Sequence, residues 1–213
     1  MYKAGKFGFM ARKIIGVTGT IGTGKSTAAK MLKSMGGKNV LVLDADRIAK
    51  KFLKKGSDSA KMVVQFFPDA VDARGDIDSK KLADAVFEKK SRLSMLNALV
   101  HPFVARAIRQ RLEKFPEHIV ILDVPLLVEA DMLGIVDFLV VIDADKKSVI
   151  KRSKFPEKEI SRRLASQLPF GEKMKISGKK LGAARVFAVD NSASRARTKE
   201  QLKFVWASIQ RFK

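Results

Sequence analysis

Residues 19–27, which read Gly-Thr-Ile-Gly-Thr-Gly-Lys-Ser-Thr, constrain the fold of this chain more than any other stretch. Gly19 and Gly24 are separated by four residues and are followed by Lys and Ser, which is the pattern of the phosphate-binding P-loop. Residues 13–18 form a mostly apolar, β-branched run that predicts a buried strand, and residues 28–35 are good helix formers. The order of strand, glycine loop and helix favours a nucleotide-phosphate site over a glycine-rich surface turn.

Each residue type in this loop has a chemical reason. Glycines let the backbone curl so that several N–H groups point at one oxyanion, and the following helix adds its positive N-terminal end. Lys25 is expected to reach the β- and γ-phosphates of ATP, and the Ser26 hydroxyl is expected to complete a Mg²⁺ shell. The residues predicted to bind the nucleotide phosphates are Gly19, Gly22, Thr23, Gly24, Lys25, Ser26 and Thr27.

Four further apolar runs have the length of buried strands. They are residues 39–44, 119–123, 136–143 and 185–191, and predicted helices separate most of them. Runs that are apolar on both faces indicate a parallel sheet covered on both sides. The prediction is an α/β fold that is P-loop NTPase-like, with three α/β/α layers and a mostly parallel five-stranded sheet.

Between the second and third strands the pattern is helical, with a break near Gly56 and an interruption at His101 and Pro102, because proline disfavours helix at the residue before it. We expect a helical insertion over about residues 50–116 and a short lid over about residues 152–170. Residues 1–12 are basic and are predicted to be an extension, which leaves residues 13–213 as a single domain.

Carboxylates stand at the ends of two of the predicted strands. Asp44 and Asp46 follow the second strand, where ligands of parallel α/β sheets collect, although both acids would also suit a helix cap. Asp46 beside a γ-phosphate would accept a proton from an attacking hydroxyl. Asp123 ends the third strand in the form typical of a Walker-B carboxylate, which holds Mg²⁺ directly or through water.

Composition limits the function classes. The 213 residues include no cysteine, which excludes disulfides and thiolate metal sites and suits a cytoplasmic location, and no apolar run has the length of a membrane span. The net charge of +21 can attract nucleic acid. The basic residues are, however, spread along the chain and only one Trp and one Tyr are present, so we interpret the charge as a lysine-rich surface and keep nucleic-acid binding as an alternative.

Several of these segments together resemble the dephospho-CoA kinase family. The resemblance runs in order over about residues 13–206 and is carried by residues 15–27, Asp-Ala-Asp-Arg-Ile-Ala at 44–49, Gly-Asp-Ile-Asp at 75–78, His101-Pro102, Asp-Val-Pro-Leu-Leu at 123–127 with Glu129-Ala130, residues 163–169, and Asp-Asn-Ser at 190–192. The P-loop alone is common to many proteins, whereas Asp-Ala-Asp combined with Asp-Val-Pro-Leu-Leu is far more specific.

The resemblance implies transfer of the γ-phosphate of ATP to the 3′-hydroxyl of the ribose of dephospho-CoA, the last step of coenzyme A synthesis. It implies that Asp46 is the base and that Lys25 and Arg152 neutralise the migrating phosphoryl group. It also implies that His101 lies in the acceptor pocket and Asn191 near adenine, with ATP and Mg²⁺ required. From the residues alone, His101 reads as a structural side chain, and a lid arginine reads equally well as part of a solvated helix.

The chain departs from the family pattern in the lid. The family usually has a second arginine four residues after the position of Arg152, whereas this chain has Pro156 there and a stretch shortened by a few residues. Lys154 is a candidate substitute, and Ser79 stands where an arginine is common. A P-loop kinase for another small hydroxyl or nucleotide and a nucleotide-regulated RNA-binding protein are the alternative functions, and the expected state is a monomer or weak homo-oligomer.

Overall fold

The computed structural model of this protein describes residues 12–87, 89–114 and 119–212. Within these residues, five strands form one sheet: β1 (Lys13–Gly19), β2 (Val40–Asp44), β3 (Ile119–Asp123), β4 (Phe138–Asp143) and β5 (Val186–Asp190). Their order across the sheet is β2-β3-β1-β4-β5, and all four neighbouring pairs are parallel. The predicted α/β fold is therefore confirmed, and the sheet is wholly rather than mostly parallel.

Helices connect the strands and cover both faces of the sheet. Their bounds are α1 Lys25–Gly36, α2 Ala45–Phe52, α3 Asp58–Phe66, α4 Ser79–Phe87, α5 Lys90–Lys114, α6 Lys146–Arg152, α7 Glu157–Ala165, α8 Phe170–Leu181 and α9 Arg195–Arg211. The break expected near Gly56 falls between α2 and α3, and Phe155 and Pro156 lie between α6 and α7. Helices α2 to α5 lie between β2 and β3, where the helical insertion was expected.

Two apolar clusters, one on each face, hold the layers together, because successive side chains of a strand point to opposite faces of the sheet. One cluster combines α1 and α9 with alternate strand residues: Ala28, Leu32, Leu202, Val205 and Ile209 with Ile121 and Val140. The other combines α3 and α5 with the intervening strand residues: Val63, Val104, Ile108 and Leu112 with Val120, Leu122 and Val141. The helices packed on the two faces of the sheet thus hold in place the strand ends at which the site lies.

The predicted interruption at His101 and Pro102 is wrong, because α5 runs through both residues. Proline removes one backbone hydrogen bond and ordinarily kinks or ends a helix. Here Val100 and Val104, on either side of Pro102, are both buried in the core, while Pro102 itself is exposed. We infer that packing of the apolar face offsets the lost hydrogen bond.

The basic extension predicted at residues 1–12 lies outside the described residues except for Arg12. The Arg12 guanidinium donates a hydrogen bond to the carbonyl of Leu112 near the end of α5, and Lys13 donates to the carbonyls of Ile209 and Phe212. The start of β1 is thus fixed to two helices. A search of the described helices finds none with the length and apolar character of a membrane span.

Candidate active site

The P-loop occupies the turn from β1 into α1 and has the predicted backbone. Gly22 and Gly24 have φ angles of 76° and 92°, a region that glycine enters without steric cost. A β-carbon at Gly24 would lie 2.3 Å from the side-chain nitrogen of Asn191, and one at Gly22 would lie 2.6 Å from a methyl carbon of Val149. Both positions therefore require glycine for space as well as for conformation.

Lys25 folds back over this loop. Its Nζ donates a hydrogen bond of 2.8 Å to the carbonyl oxygen of Thr20, and the hydroxyl of the fully buried Thr23 donates to the same oxygen at 2.9 Å. Burial lowers the pKa of Lys25, and the nearby carboxylates of Asp123 and Asp46 oppose that shift. The lysine is thus close enough to both predicted carboxylates to interact with them.

The sheet register explains why these groups meet. Asp44 and Asp123 are paired positions of β2 and β3, and Asp123 is also paired with Val17 of β1, two residues before the loop begins. Parallel strands place their carboxyl ends at one edge of the sheet. The acids and the P-loop are consequently neighbours in space, although about a hundred residues separate Asp123 from the loop in sequence.

Asp44 and Asp46 have different roles in the structure. Asp44 caps α2, because its carboxylate accepts a 2.8 Å hydrogen bond from the Arg47 backbone N–H, so the capping interpretation applies to this residue. Asp46 lies in the first turn of α2 and makes no side-chain hydrogen bond within the described residues. Desolvation by the surrounding protein and then repulsion from Asp44 raise the pKa of Asp46, while Lys25 lowers it.

Asp123 is the most buried of these acids, with 5% of its surface exposed. Burial raises the pKa of Asp123, and a hydrogen bond from the Ser26 hydroxyl and the charge of Lys25 oppose that shift. Among the described residues, its Oδ1 is a buried oxygen without a hydrogen-bond partner. A carboxylate and a hydroxyl are hard oxygen donors of the kind that Mg²⁺ takes, so the residues present fit this ion.

An apolar cavity opens beside Asp46, between α2, α5 and the turn after β3, with an empty volume of about 590 Å³. Asp46 and His101 line it, together with Ala49, Leu53, Leu96, Val100, Val104 and Leu126. Burial lowers the pKa of His101, so the imidazole is neutral at pH 7. A half-buried cavity with a carboxylate at its wall can hold a largely apolar molecule and orient one hydroxyl toward that carboxylate.

The lid arginines make protein contacts. Arg152, at the end of α6, donates to the carbonyls of Asn191 at 2.6 Å, Ala193 at 3.3 Å and Ser192 at 3.4 Å. Arg162 pairs with Asp84 of α4 at 2.9 Å. Arg163 pairs with Glu159 and lies 4.2 Å from the centre of the Phe155 ring.

Asn191 connects the turn after β5 to the P-loop. Its side-chain nitrogen donates to the Thr23 carbonyl at 2.7 Å, and its side-chain oxygen accepts from the Thr198 hydroxyl at 2.7 Å. Both ends of the amide are therefore used in shaping the loop. The expected contact of Asn191 with adenine stays a prediction.

Sequence reasoning missed a polar group behind the P-loop, formed by Gln167, Glu129 and Lys173. Gln167 accepts a hydrogen bond of 2.9 Å from the backbone N–H of Ile21, and Glu129 forms an ion pair with Lys173, whose side chain is fully buried. Gln167 and Glu129 lie within the segments that carry the family resemblance, which is the signal that was available. Lys173 lies in α8, a helix that the sequence reasoning did not predict, and no pattern marks it as buried.

The comparisons with known proteins agree with this geometry. A family model described as dephospho-CoA kinase matches residues 13–186. The dephospho-CoA kinase of Aquifex aeolicus is 35% identical over 209 residues, which cover 93% of this chain and 98% of that protein. The dephospho-CoA kinase of Carboxydothermus hydrogenoformans is 33% identical over 197 residues, covering 89% and 90% respectively.

Solved structures show the same similarity. The Thermus thermophilus protein TT1252 matches with a TM-score of 0.75 and 31% identity, covering 93% of this chain and 98% of that one. A dephospho-CoA kinase from Campylobacter jejuni matches with a TM-score of 0.58 and 24% identity, covering 92% and 96%, and supports the fold alone. With the family model and relatives over most of its length, this chain belongs to the dephospho-CoA kinase family.

Proposed function

We propose that this protein transfers the γ-phosphate of ATP to the 3′-hydroxyl of dephospho-CoA, the last step of coenzyme A synthesis. Family membership supports this activity. The single structural observation that carries it is the position of Asp46, which lines the apolar cavity and interacts electrostatically with the P-loop lysine, Lys25. A hydroxyl in that cavity would have a proton acceptor on one side and the phosphates of ATP on the other.

Asp46 is the proposed general base. Within the described residues, no side-chain hydrogen bond competes for its oxygens, and its raised pKa makes the ionised form a better proton acceptor than an ordinary aspartate. Lys25 is the proposed partner of the γ-phosphate oxygens. Its hydrogen bond to the Thr20 carbonyl would be exchanged for phosphate contacts when the nucleotide binds.

The P-loop supplies the remaining phosphate contacts in this proposal. The backbone N–H groups of Thr23 and Thr27 donate to the carbonyls of Thr20 and Gly24, so those of Gly22, Gly24, Lys25 and Ser26 would face the ligand. The helix dipole of α1 favours the negative charge of the ligand. Arg152 is the lid residue that we propose contacts the transferred phosphoryl group and neutralises its charge. That role requires its guanidinium to leave the carbonyls of residues 191–193, to which it donates in this structure.

Ser26 and Asp123 are the proposed holders of Mg²⁺. The unpartnered Oδ1 of Asp123 and the adjacent Ser26 hydroxyl support this assignment. Mg²⁺ is commonly held by one or two protein oxygens together with waters and substrate phosphates, which accords with the finding that the described residues contain no cluster of three or more acidic, His or Cys ligands. When bound, the ion would neutralise charge on the β- and γ-phosphates.

The acceptor is proposed to occupy the cavity lined by His101. The neutral imidazole of His101 can donate or accept a hydrogen bond there without repelling a cation or attracting a second phosphate. Asn191 is proposed to lie near adenine through its backbone or its turn, since its side-chain amide is already bonded to the P-loop. A cytoplasmic location and a monomer or weak homo-oligomer complete the proposal.

The central test is an assay of ADP release with purified protein, ATP and dephospho-CoA. Asp46→Asn and Lys25→Ala should each lower kcat by at least about 100-fold, because each removes a base or a principal charge. Asp58→Asn is the matched control for the first change, since Asp58 also lies in the first turn of its helix, α3, and Lys30→Ala is the control for the second. A near-normal rate for Asp46→Asn would show that another group accepts the proton.

A second assay addresses the acceptor. Dephospho-CoA, nucleoside monophosphates and shikimate are offered in turn under the same conditions. Turnover with dephospho-CoA alone is the expected result. Turnover with one of the other acceptors alone would refute the assigned substrate while leaving the kinase chemistry in place.

A further inference from the structure

We propose that Gln167 is a nucleotide-binding residue, which donates a hydrogen bond to the γ-phosphate of ATP while its other end holds the P-loop. This inference rests on the proposed function, since it assigns a contact to the ATP bound at the same site. It concerns residues 166–169, between α7 and α8, which lie in the predicted lid.

The orientation of the Gln167 amide follows from its partner. A backbone N–H can only donate, so the atom that faces Ile21 N–H at 2.9 Å is the side-chain oxygen. The side-chain NH₂ therefore points away from that N–H, and within the described residues it donates to no other group. Two donor hydrogens are thus available beside the loop that binds the phosphates.

The backbone around Gln167 is held firmly from both sides. Its own N–H donates to the Leu164 carbonyl at 3.2 Å, which closes the end of α7. The next residue, Leu168, donates its N–H to Glu129 at 3.0 Å, and the same Glu129 oxygen accepts from the fully buried Lys173. The charges of Lys173 and Glu129 also act on Lys25, so this support lies next to the phosphate site.

Gln167 contacts the P-loop at Ile21 and also lines a second cavity, which adjoins the acceptor cavity. A second, more polar cavity with an empty volume of about 920 Å³ is lined by Gln167, Glu129 and Glu172. Asn97 and Leu126 line both this cavity and the one beside Asp46, so the two adjoin at those residues. A donor on a residue that contacts the P-loop and lines the adjoining cavity is suited to the γ-phosphate, which is the phosphate that moves from the nucleotide to the acceptor.

The contact distinguishes ATP from ADP. A neutral amide that donates to an anionic phosphate forms a charge-assisted hydrogen bond without adding a charge to the site. ADP lacks the γ-phosphate and gains nothing from this contact. The segment after α7 would accordingly bind more firmly to the P-loop before transfer than after it, which favours release of ADP.

The test compares Gln167→Glu with the wild type, using calorimetric affinities for adenylyl imidodiphosphate and for ADP, both with Mg²⁺ and without an acceptor. Gln167→Glu keeps an oxygen for Ile21 N–H and replaces the donor by a carboxylate oxygen. We expect the affinity for the ATP analogue to fall at least about tenfold and that for ADP to stay within about twofold. Gln110→Glu, an exposed site in α5, is the matched control.

A parallel loss of both affinities, or a change below about twofold in each, would overturn the proposal, because the first indicates a structural role and the second no role. NMR of the wild type serves if the variant does not fold. The Gln167 side-chain NH₂ resonances should shift with the ATP analogue and not with ADP, and equal shifts would also overturn the proposal. None of these measurements uses dephospho-CoA, so a failure of the proposed acceptor chemistry would leave them interpretable.

Discussion

Replacing Glu129 by Gln should destabilise the protein strongly, because it leaves Lys173 buried without its counter-charge. The side chain of Lys173 is 0% exposed and that of Glu129 is 15% exposed. Removing one partner of a buried ion pair typically costs about 3–5 kcal/mol of the free energy of unfolding. For a domain of this size that corresponds to a fall in Tm of about 6–20 °C.

The reverse change should cost less, and this asymmetry is the informative part. Lys173→Met leaves the Glu129 carboxylate with the Leu168 N–H as a partner, and the Glu129 side chain, unlike that of Lys173, is partly exposed. We expect a loss of about 1–3 kcal/mol. The double variant with Glu129→Gln and Lys173→Met should unfold within about 1–2 kcal/mol of the wild type, because no buried charge remains and the glutamine oxygen still accepts from Leu168.

The measurement is urea unfolding at constant pH, followed by fluorescence of the single tryptophan and checked by thermal melts. A control pair joins the same helix, α8, to the segment after β3: Lys180 of α8 and Asp131 are 2.5 Å apart, with side chains 42% and 85% exposed. Asp131→Asn should cost only about 0–1 kcal/mol. If Glu129→Gln costs no more than this control, or less than Lys173→Met, the interpretation of Lys173 as a buried charge that depends on Glu129 is wrong.

Three further changes test the site and the fold. Asp46 must be ionised to act as a base, and the charge of Asp44 raises the pKa of Asp46. Asp44→Asn keeps a good helix cap and should therefore move the acid limb of the pH profile of kcat/KM to lower pH. An acid limb that stays in place or moves to higher pH would contradict the assignment of Asp46 as the base. Gly24→Ala should lower the affinity for ATP and reduce the free energy of unfolding, measured in urea, by about 2–3 kcal/mol. The reason is that the new β-carbon would lie 2.3 Å from the Asn191 side-chain nitrogen, at a residue whose φ is 92°. Unchanged ATP affinity would refute this prediction. Gly178→Ala, inside α8 with open space around it, should raise stability by about 1 kcal/mol without changing kcat, and a loss of stability would count against it.

The fold was predictable from the sequence because its signals are local. The P-loop pattern, the continuous apolar strands and the break near Gly56 each depend on a few neighbouring residues. The parallel sheet then follows from the alternation of strands and helices. Pro102 is the counterexample, since the packing of α5 against the sheet decides that the helix continues, and no local pattern records that packing.

The part of the candidate site that lies at the strand ends was predictable, because the sheet topology brings those ends together. Lys25, Asp46 and Asp123 could be expected together because strand ends of a parallel sheet meet at one edge, and the structure brings them together. The contacts of Gln167 and Lys173 could not be predicted in this way, because these residues lie in the segment after α7 and in α8, and the order of the strands does not determine where those segments pack. A lysine in a basic helix is indistinguishable from a surface lysine until the helix is placed in space.

The electrostatics of the site indicate what a ligand must bring to it. The lowered pKa of Lys25 and the raised pKa of Asp123 have the same main cause, which is that protein atoms have replaced water around both groups. Each shift disfavours the ionised form of its group, and the attraction between the charges of Lys25 and Asp123 offsets only part of this effect. An anion beside Lys25 and a cation beside Asp123 would reverse both shifts at once. A nucleotide triphosphate with its divalent cation supplies that combination, whereas a nucleic-acid backbone bound along the scattered surface lysines would leave both groups unsatisfied.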